Sequence, residues 1–139
     1  MAMTRVLIPM ITILMGCSVR TGENDLAASY AAVQEALAAD AYGGARTALE
    51  SFRRSAPEDL RTLVDEVLAT GDIDSMRRAF KGLSEEMSGR ELPPGYVVAF
   101  CPMADGFQGA HWVQREGPVR NPYFGSSMLE CGEVVEPGH

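Results

Sequence analysis

Much of what enzymes and nucleic-acid binders are built from is absent from this chain. There is no Gly-x-Ser-x-Gly elbow, no phosphate-cradling glycine loop followed by Lys, no His-Glu-x-x-His and no Cys-x-x-Cys, and histidine occurs only at His111 and His139. A nucleophile needs a base within reach. Ser126-Ser127 therefore has little to work with, and Cys101 lacks the usual motif of thiol–disulfide exchange. Glu85 and Glu86 are adjacent on a helix pattern and point apart, as solvated surface does. The chain has no basic run and carries a net charge of −7, which repels phosphate backbones and argues against nucleic acid as a partner. No internal repeat or low-complexity tract is present, and no apolar run reaches the about 20 residues that span a bilayer. The expectation is a protein that is not an enzyme.

What is present begins with an address. Arg5 gives a short positive region, and Val6 to Met15 is apolar except for Pro9 and Thr12. That length suits the apolar part of a signal peptide. It ends in Leu14-Met15-Gly16-Cys17, which resembles the bacterial lipobox: an aliphatic residue, a small residue at the cut, then the cysteine to be lipidated. Residues 1–16 are expected to be a lipoprotein signal peptide and Cys17 the lipidation site. The alternative is a buried first helix with an incidental cysteine. Ser18, with no Asp at that place, points to outer-membrane sorting. The lipid would supply the membrane affinity, with the folded part facing the periplasm. Beyond residue 16 only Arg5 has been lost, so eleven cations face nineteen acids for a net charge of −8. The acids are interspersed with Arg along helical patterns, as on a solvated face.

Residues 17–24 are polar and aperiodic and read as a lipidated cysteine and tether. A single domain follows over 25–139. Asp25 can cap a helix carrying Leu26, Tyr30, Val33 and Leu37 on one face. A second begins near Ala41 with Tyr42, Ala45, Leu49 and Phe52, weakened in its first turn by Gly43-Gly44. Pro57 starts a third, with Leu60, Leu63, Val64, Val67 and Leu68, which Thr70-Gly71 ends. Asp72 opens a fourth, with Ile73, Met76, Phe80, Leu83 and Met87, stopped by Ser88-Gly89. Short connections between four amphipathic helices predict a mainly α fold, an antiparallel four-helix bundle over 25–89. The Met and aromatic stripes read as core.

Over 90–139 the chain changes character. From Gly89 onward lie six of the eight prolines, eight of the fourteen glycines and six of the ten aromatics. This predicts an irregular C-terminal segment with one or two short strands, Tyr96 to Phe100 and Ala110 to Gln114. Ala104-Asp105-Gly106, Glu116-Gly117-Pro118 and Asn121-Pro122 mark turns. Fifty residues this irregular bury too little to stand alone and should pack on the helices.

Four sulfurs stand out there. Cys101-Pro102-Met103 sets a thiol and a thioether two residues apart, and Met128-Leu129-Glu130-Cys131 sets another pair three apart, on one side of a helical turn. Thiolate and thioether are soft donors that favour Cu(I) over hard cations. Cys101, Met103, Met128 and Cys131 are thus candidate metal ligands, His111 a candidate extra ligand, and Trp112 a candidate cap whose indole face can lie against a cation. The other use of the pair is a Cys101–Cys131 disulfide, worth about 3–4 kcal/mol for a loop of about 30 residues. Spacing alone favours the disulfide, and both uses stay open. His139 is terminal and carries no expectation of a role.

The blocks Phe100-Cys101-Pro102-Met103-Ala104, Gly109-Ala110-His111-Trp112-Val113-Gln114, Asn121-Pro122-Tyr123-Phe124-Gly125 and Met128-Leu129-Glu130-Cys131-Gly132-Glu133 resemble the DUF3347 family. The helical part is similar too, from Tyr30 through Ala36-Leu37 to Phe80 and Leu83-Ser84. The resemblance covers nearly all of the chain beyond the signal. Similar domains occur attached to periplasmic adaptor subunits of heavy-metal efflux pumps. The resemblance therefore implies a copper-like soft-metal binding or handling module, with an efflux adaptor as partner. It rests on Cys101, Met103, Met128 and Cys131, since relatives often carry another residue at the place of His111. The alternative from another class is a structural or interaction lipoprotein. In it Cys101 and Cys131 form a disulfide, and the Asn-Pro-Tyr-Phe and Trp112 region contacts another envelope protein.

Overall fold

The computed structural model describes residues 19–136. The expected signal peptide 1–16, the expected lipidation site Cys17, Ser18 and His139 lie outside the described residues. Four helices come first: α1 (Val19–Ala38), α2 (Tyr42–Ser55), α3 (Glu58–Leu68) and α4 (Ile73–Ser88). Then follow β1 (Tyr96–Cys101), a short turn of helix α5 (Ala104–Phe107), β2 (Ala110–Arg115), a 3-10 turn (Gly125–Ser127) and β3 (Glu133–Val135). The protein is mostly helical, with a small three-stranded antiparallel sheet in its C-terminal part, ordered β2-β1-β3. Among the described residues no helix is long and apolar enough to cross a membrane.

Two differences from the sequence reading stand out. Helix α1 starts at Val19 rather than at Asp25, so the polar stretch read as a tether is already helical from that residue. Polar residues continue a helix readily when the apolar face downstream anchors it. The sheet has three strands rather than one or two. β3 is only three residues long, and its side chains at 133–135 are mostly exposed, too little pattern for periodicity to register.

The helix boundaries follow local chemistry. Asp72 caps α4, its Oδ1 accepting from Ser75 N at 2.8 Å, a cap worth about 1 kcal/mol. Pro57 stands just before α3 with ψ 163°, one residue ahead of its expected helical position. Consecutive helices pack pairwise, α1 on α2, α2 on α3 and α3 on α4, while β2 lies against both α1 and α4. The main core draws Tyr30, Val33 and Leu37 from α1 and Ala45, Leu49 and Phe52 from α2. Leu60, Val64 and Val67 of α3 and Met76, Phe80, Leu83 and Met87 of α4 complete its helical side. Each large apolar side chain so buried contributes about 1.5–3 kcal/mol. The Met and aromatic stripes are core, as their spacing predicts.

Strand alternation gives the sheet two buried faces. Val98 and Val113, cross-strand partners, enter the helical core. Ala99, Cys101, Ala110 and Trp112 point the other way and form a second small core, covered by Val119, Tyr123, Phe124 and Cys131 of the irregular segment. The C-terminal fifty residues are therefore one layer of the fold, packed on the helices through one sheet face. Polar pins hold that layer. Gln34 Nε2 donates to Arg120 O at 2.6 Å. Arg77 donates from Nε to Pro122 O (2.9 Å) and from Nη2 to Leu37 O (2.7 Å) and Asp40 Oδ1 (2.6 Å). The Tyr30 hydroxyl lies buried beside Ser84 Oγ at 2.7 Å, and burial raises its pKa.

Candidate functional site

Cys101 ends β1, and the register Phe100↔Glu133 leaves Cys131 just before the start of β3, beside it. The two sulfurs approach to 2.7 Å, and both cysteines are free thiols. Cys101 is fully buried, while Cys131 is partly accessible. Sharing a hydrogen with Cys101, with burial second, pushes the Cys131 thiol up to about 11. At neutral pH that sulfur stays protonated, whereas metal ligation and nucleophilic attack both need the thiolate.

The segment that carries Cys131 to this place is organised by Asn121. Its side chain is completely buried; Oδ1 accepts from Tyr123 N (2.8 Å) and Phe124 N (3.2 Å), and Nδ2 donates to Cys131 O (2.7 Å). Its own N–H donates to Leu129 O at 2.7 Å. One amide thus closes the 121–131 loop on itself. The Asn-Pro-Tyr block is visible in the sequence, but this bracing role is not, because it spans ten residues without periodicity. Gly132 then lets the chain run close over the sheet: a Cβ there would stand 2.7 Å from the Trp112 ring and 2.9 Å from Phe100 O.

The remaining sulfurs and side chains sit as follows. Met103 caps the short α5 turn and is 39% exposed, while Met128 is half-buried at the end of the 3-10 turn. His111 faces away from the cysteines, on the strand face opposite Trp112. Its backbone N–H and Nδ1 both meet the Glu85 carboxylate at 3.0 Å. Trp112 is fully buried, its Nε1 donating to Gln114 Oε1 at 3.0 Å and its ring meeting Tyr123 edge-on at 6.0 Å. An indole so enclosed presents no face to a partner, and Asn121 and Pro122 are buried as well. Of that expected contact region, Tyr123 and Phe124 alone keep partial exposure. Among the described residues, no group of three or more His, Cys, Asp and Glu side chains is placed to hold a metal ion.

The donor chemistry of the pair suits a soft ion, but the spacing suits a dithiol. Two thiolates on one tetrahedral ion, with bonds of ~2.3 Å, stand about 3.8 Å apart. The observed sulfurs are closer than that and would have to separate to admit a metal.

The fold and site define a mostly helical protein whose antiparallel sheet carries a juxtaposed cysteine pair at the end of its central strand. No family model, no curated protein and no solved structure matches the chain.

Proposed function

We propose that this chain is a lipid-anchored envelope protein of the DUF3347 type, not an enzyme, whose C-terminal layer is stapled by a Cys101–Cys131 disulfide and serves as an interaction module. The observation that carries the reading is the approach of the two sulfurs to 2.7 Å, one buried and one partly accessible. An oxidising compartment is where such a pair is retained as a disulfide. Formation by exchange starts at the accessible sulfur. Cys131, once its proton has passed to solvent, attacks a donor protein's disulfide, forming a mixed disulfide and releasing one donor thiolate. Cys101, having lost its proton, then displaces the second. Two thiols of this chain are oxidised as the donor disulfide is reduced to two thiols. The lipobox at Leu14 to Cys17 supports the anchor at Cys17, and Ser18 supports the outer membrane as its place. The consecutive packing and short connections of α1 to α4 support an antiparallel bundle arrangement of the helices.

A second reading has its own support. Met103 is 39% exposed two residues from Cys101, so a thioether stands near the pair in sequence and reaches solvent. With Met128 it makes a soft donor set for a copper-like cargo that an efflux adaptor could receive. One experiment separates the two readings. Intact mass of the full chain is measured before and after reduction, followed by anaerobic Cu(I) titration of the reduced form. A two-hydrogen deficit before reduction, with no copper held afterwards, supports the staple. One copper held by the reduced chain, lost in Cys101→Ser and kept in His111→Ala, overturns it in favour of metal handling.

A further inference from the structure

Away from the cysteines, the C-terminal layer and α4 enclose a cleft of about 300 Å³, at the small end of the range for ligand pockets. One wall is the α4 face bearing Arg77, Arg78 and Lys81; the opposite wall is aromatic, made by Tyr123 and Phe124. In a chain of net charge −7, the cleft's lining holds three cations against two carboxylates, Asp74 and Asp105. The three cations are not equivalent. Arg77 is spent on the framework, bound to Asp40, Leu37 O and Pro122 O, with its side chain only 11% exposed. Lys81 is held by Asp105 at 2.5 Å. Arg78 donates to the Ser75 hydroxyl at 2.9 Å and makes no ion pair among the described residues.

The rim on the far side is strained. Asp105, Gly106 and Phe107 are consecutive residues in the left-handed region, with φ of 54°, 61° and 69°. A side chain there costs about 1–2 kcal/mol per residue, and such strain gathers at ligand clamps. The turn presents Phe107 to solvent, 76% exposed, while Asp105 ties it back to Lys81 on the cleft wall.

We propose that this cleft binds a small aromatic carboxylate. The guanidinium of Arg78 takes the carboxylate in its planar fork, with Lys81 beside it, and the ring lies against Tyr123 and Phe124. Arg77 is neutralised by Asp40 and Lys81 by Asp105, which leaves Arg78 as the lining cation without an ion pair among the described residues; one such charge matches a monoanion rather than a phosphate dianion. Tyr123 and Phe124 also pack on the small core that holds Cys101, but neither cysteine lines the cleft, so the proposal does not rest on what that pair does.

The test is titration of the full chain with 2-naphthoate, followed by backbone amide shifts in nuclear magnetic resonance and by calorimetry. Saturable binding is expected, with the largest shifts at Arg78, Lys81 and Phe124. Arg78→Gln should weaken it at least tenfold without altering the melting temperature, because that side chain is exposed and its one hydrogen bond is to Ser75 on its own helix; Arg54→Gln, remote on α2, should leave it unchanged. The neutral isostere 2-naphthalenemethanol should bind at least tenfold more weakly. Absence of saturation, shifts centred elsewhere, or an Arg78→Gln affinity within twofold of the parent would each overturn the proposal. Equal affinity for inorganic phosphate would also overturn it, since the aromatic wall would then contribute nothing.

Discussion

Gly125→Ala is the sharpest test of how the C-terminal layer is fastened. Gly125 opens the 3-10 turn at φ 58°, and a Cβ built there would lie 2.0 Å from Asp40 Oδ1 and 2.2 Å from Arg77 Nη2. Those two atoms belong to the latch that joins the α1–α2 turn to the segment after Pro122, where Asp40 also accepts from Ser126 N and Oγ. Two costs follow. The left-handed backbone penalises alanine by about 1–2 kcal/mol. Overlap with a side-chain pair held from both sides adds about 1–3 kcal/mol, the usual cost of forcing extra volume into a packed site. The expected loss is about 2–5 kcal/mol, a large part of the stability of a domain this size. Gly106→Ala is the control, since Gly106 has φ 61° but open space around its Cβ position. It should cost only the backbone part, about 1–2 kcal/mol. Urea unfolding of both variants and the parent, read by far-ultraviolet circular dichroism, gives the comparison. Removing the Asp40 side chain should shrink the cost of Gly125→Ala, because one of the two overlap partners is gone and Arg77, no longer held by Asp40, can give way, so that the two changes are coupled. Equal losses for Gly125→Ala and Gly106→Ala, or additive losses in the double variant, would refute the reasoning.

Other predictions concern the same layer. Asn121→Ala strips the Tyr123 N–H, Phe124 N–H and Cys131 carbonyl of their partner and should cost about 2–4 kcal/mol; it should also slow closure of the Cys101–Cys131 disulfide, measured by thiol counting during air oxidation. Hydrogen bonds from Ser126 and Arg77 lower the Asp40 pKa from 3.8 to about 2. Its contribution is therefore present above pH 3.8 and is lost as pH falls through about 2. An acid unfolding transition in that window should be displaced in Asp40→Asn; an unchanged acid profile would remove the latch from the account. With the Cys131 thiol pushed up to about 11, iodoacetamide labelling of the reduced protein should be slow at pH 8 and accelerate towards that value. Fast labelling at neutral pH would show that the two thiols do not share a hydrogen.

The four helices, their stripes and the strand pair β1–β2 were legible from the sequence because each is a local pattern: apolar residues at helical spacing, Asp72 as a cap, Tyr96 to Phe100 as a β-prone run. The start of α1 was not, since the helix extends through polar residues that carry no periodic signal of their own. β3 was not either, because three mostly exposed residues become a strand only when β1 offers them an edge.

The site divides in the same way. The amino-acid sequence alone determined that two cysteines and two methionines of soft-donor character stand in one irregular segment, and that catalytic motifs are missing. Only tertiary structure decided which of them meet. Cys101 and Cys131 come together because sheet register and the Asn121 bridge act across thirty residues, while strand alternation sends His111 to Glu85 on the opposite face. Burial of Trp112 was likewise decided by the second core, which closes only when the 119–132 segment folds over the sheet. Periodicity records what a residue's own element does with it; contacts between elements leave no trace in spacing, so the cleft beside Arg78 and the latch at Asp40 exist only in three dimensions.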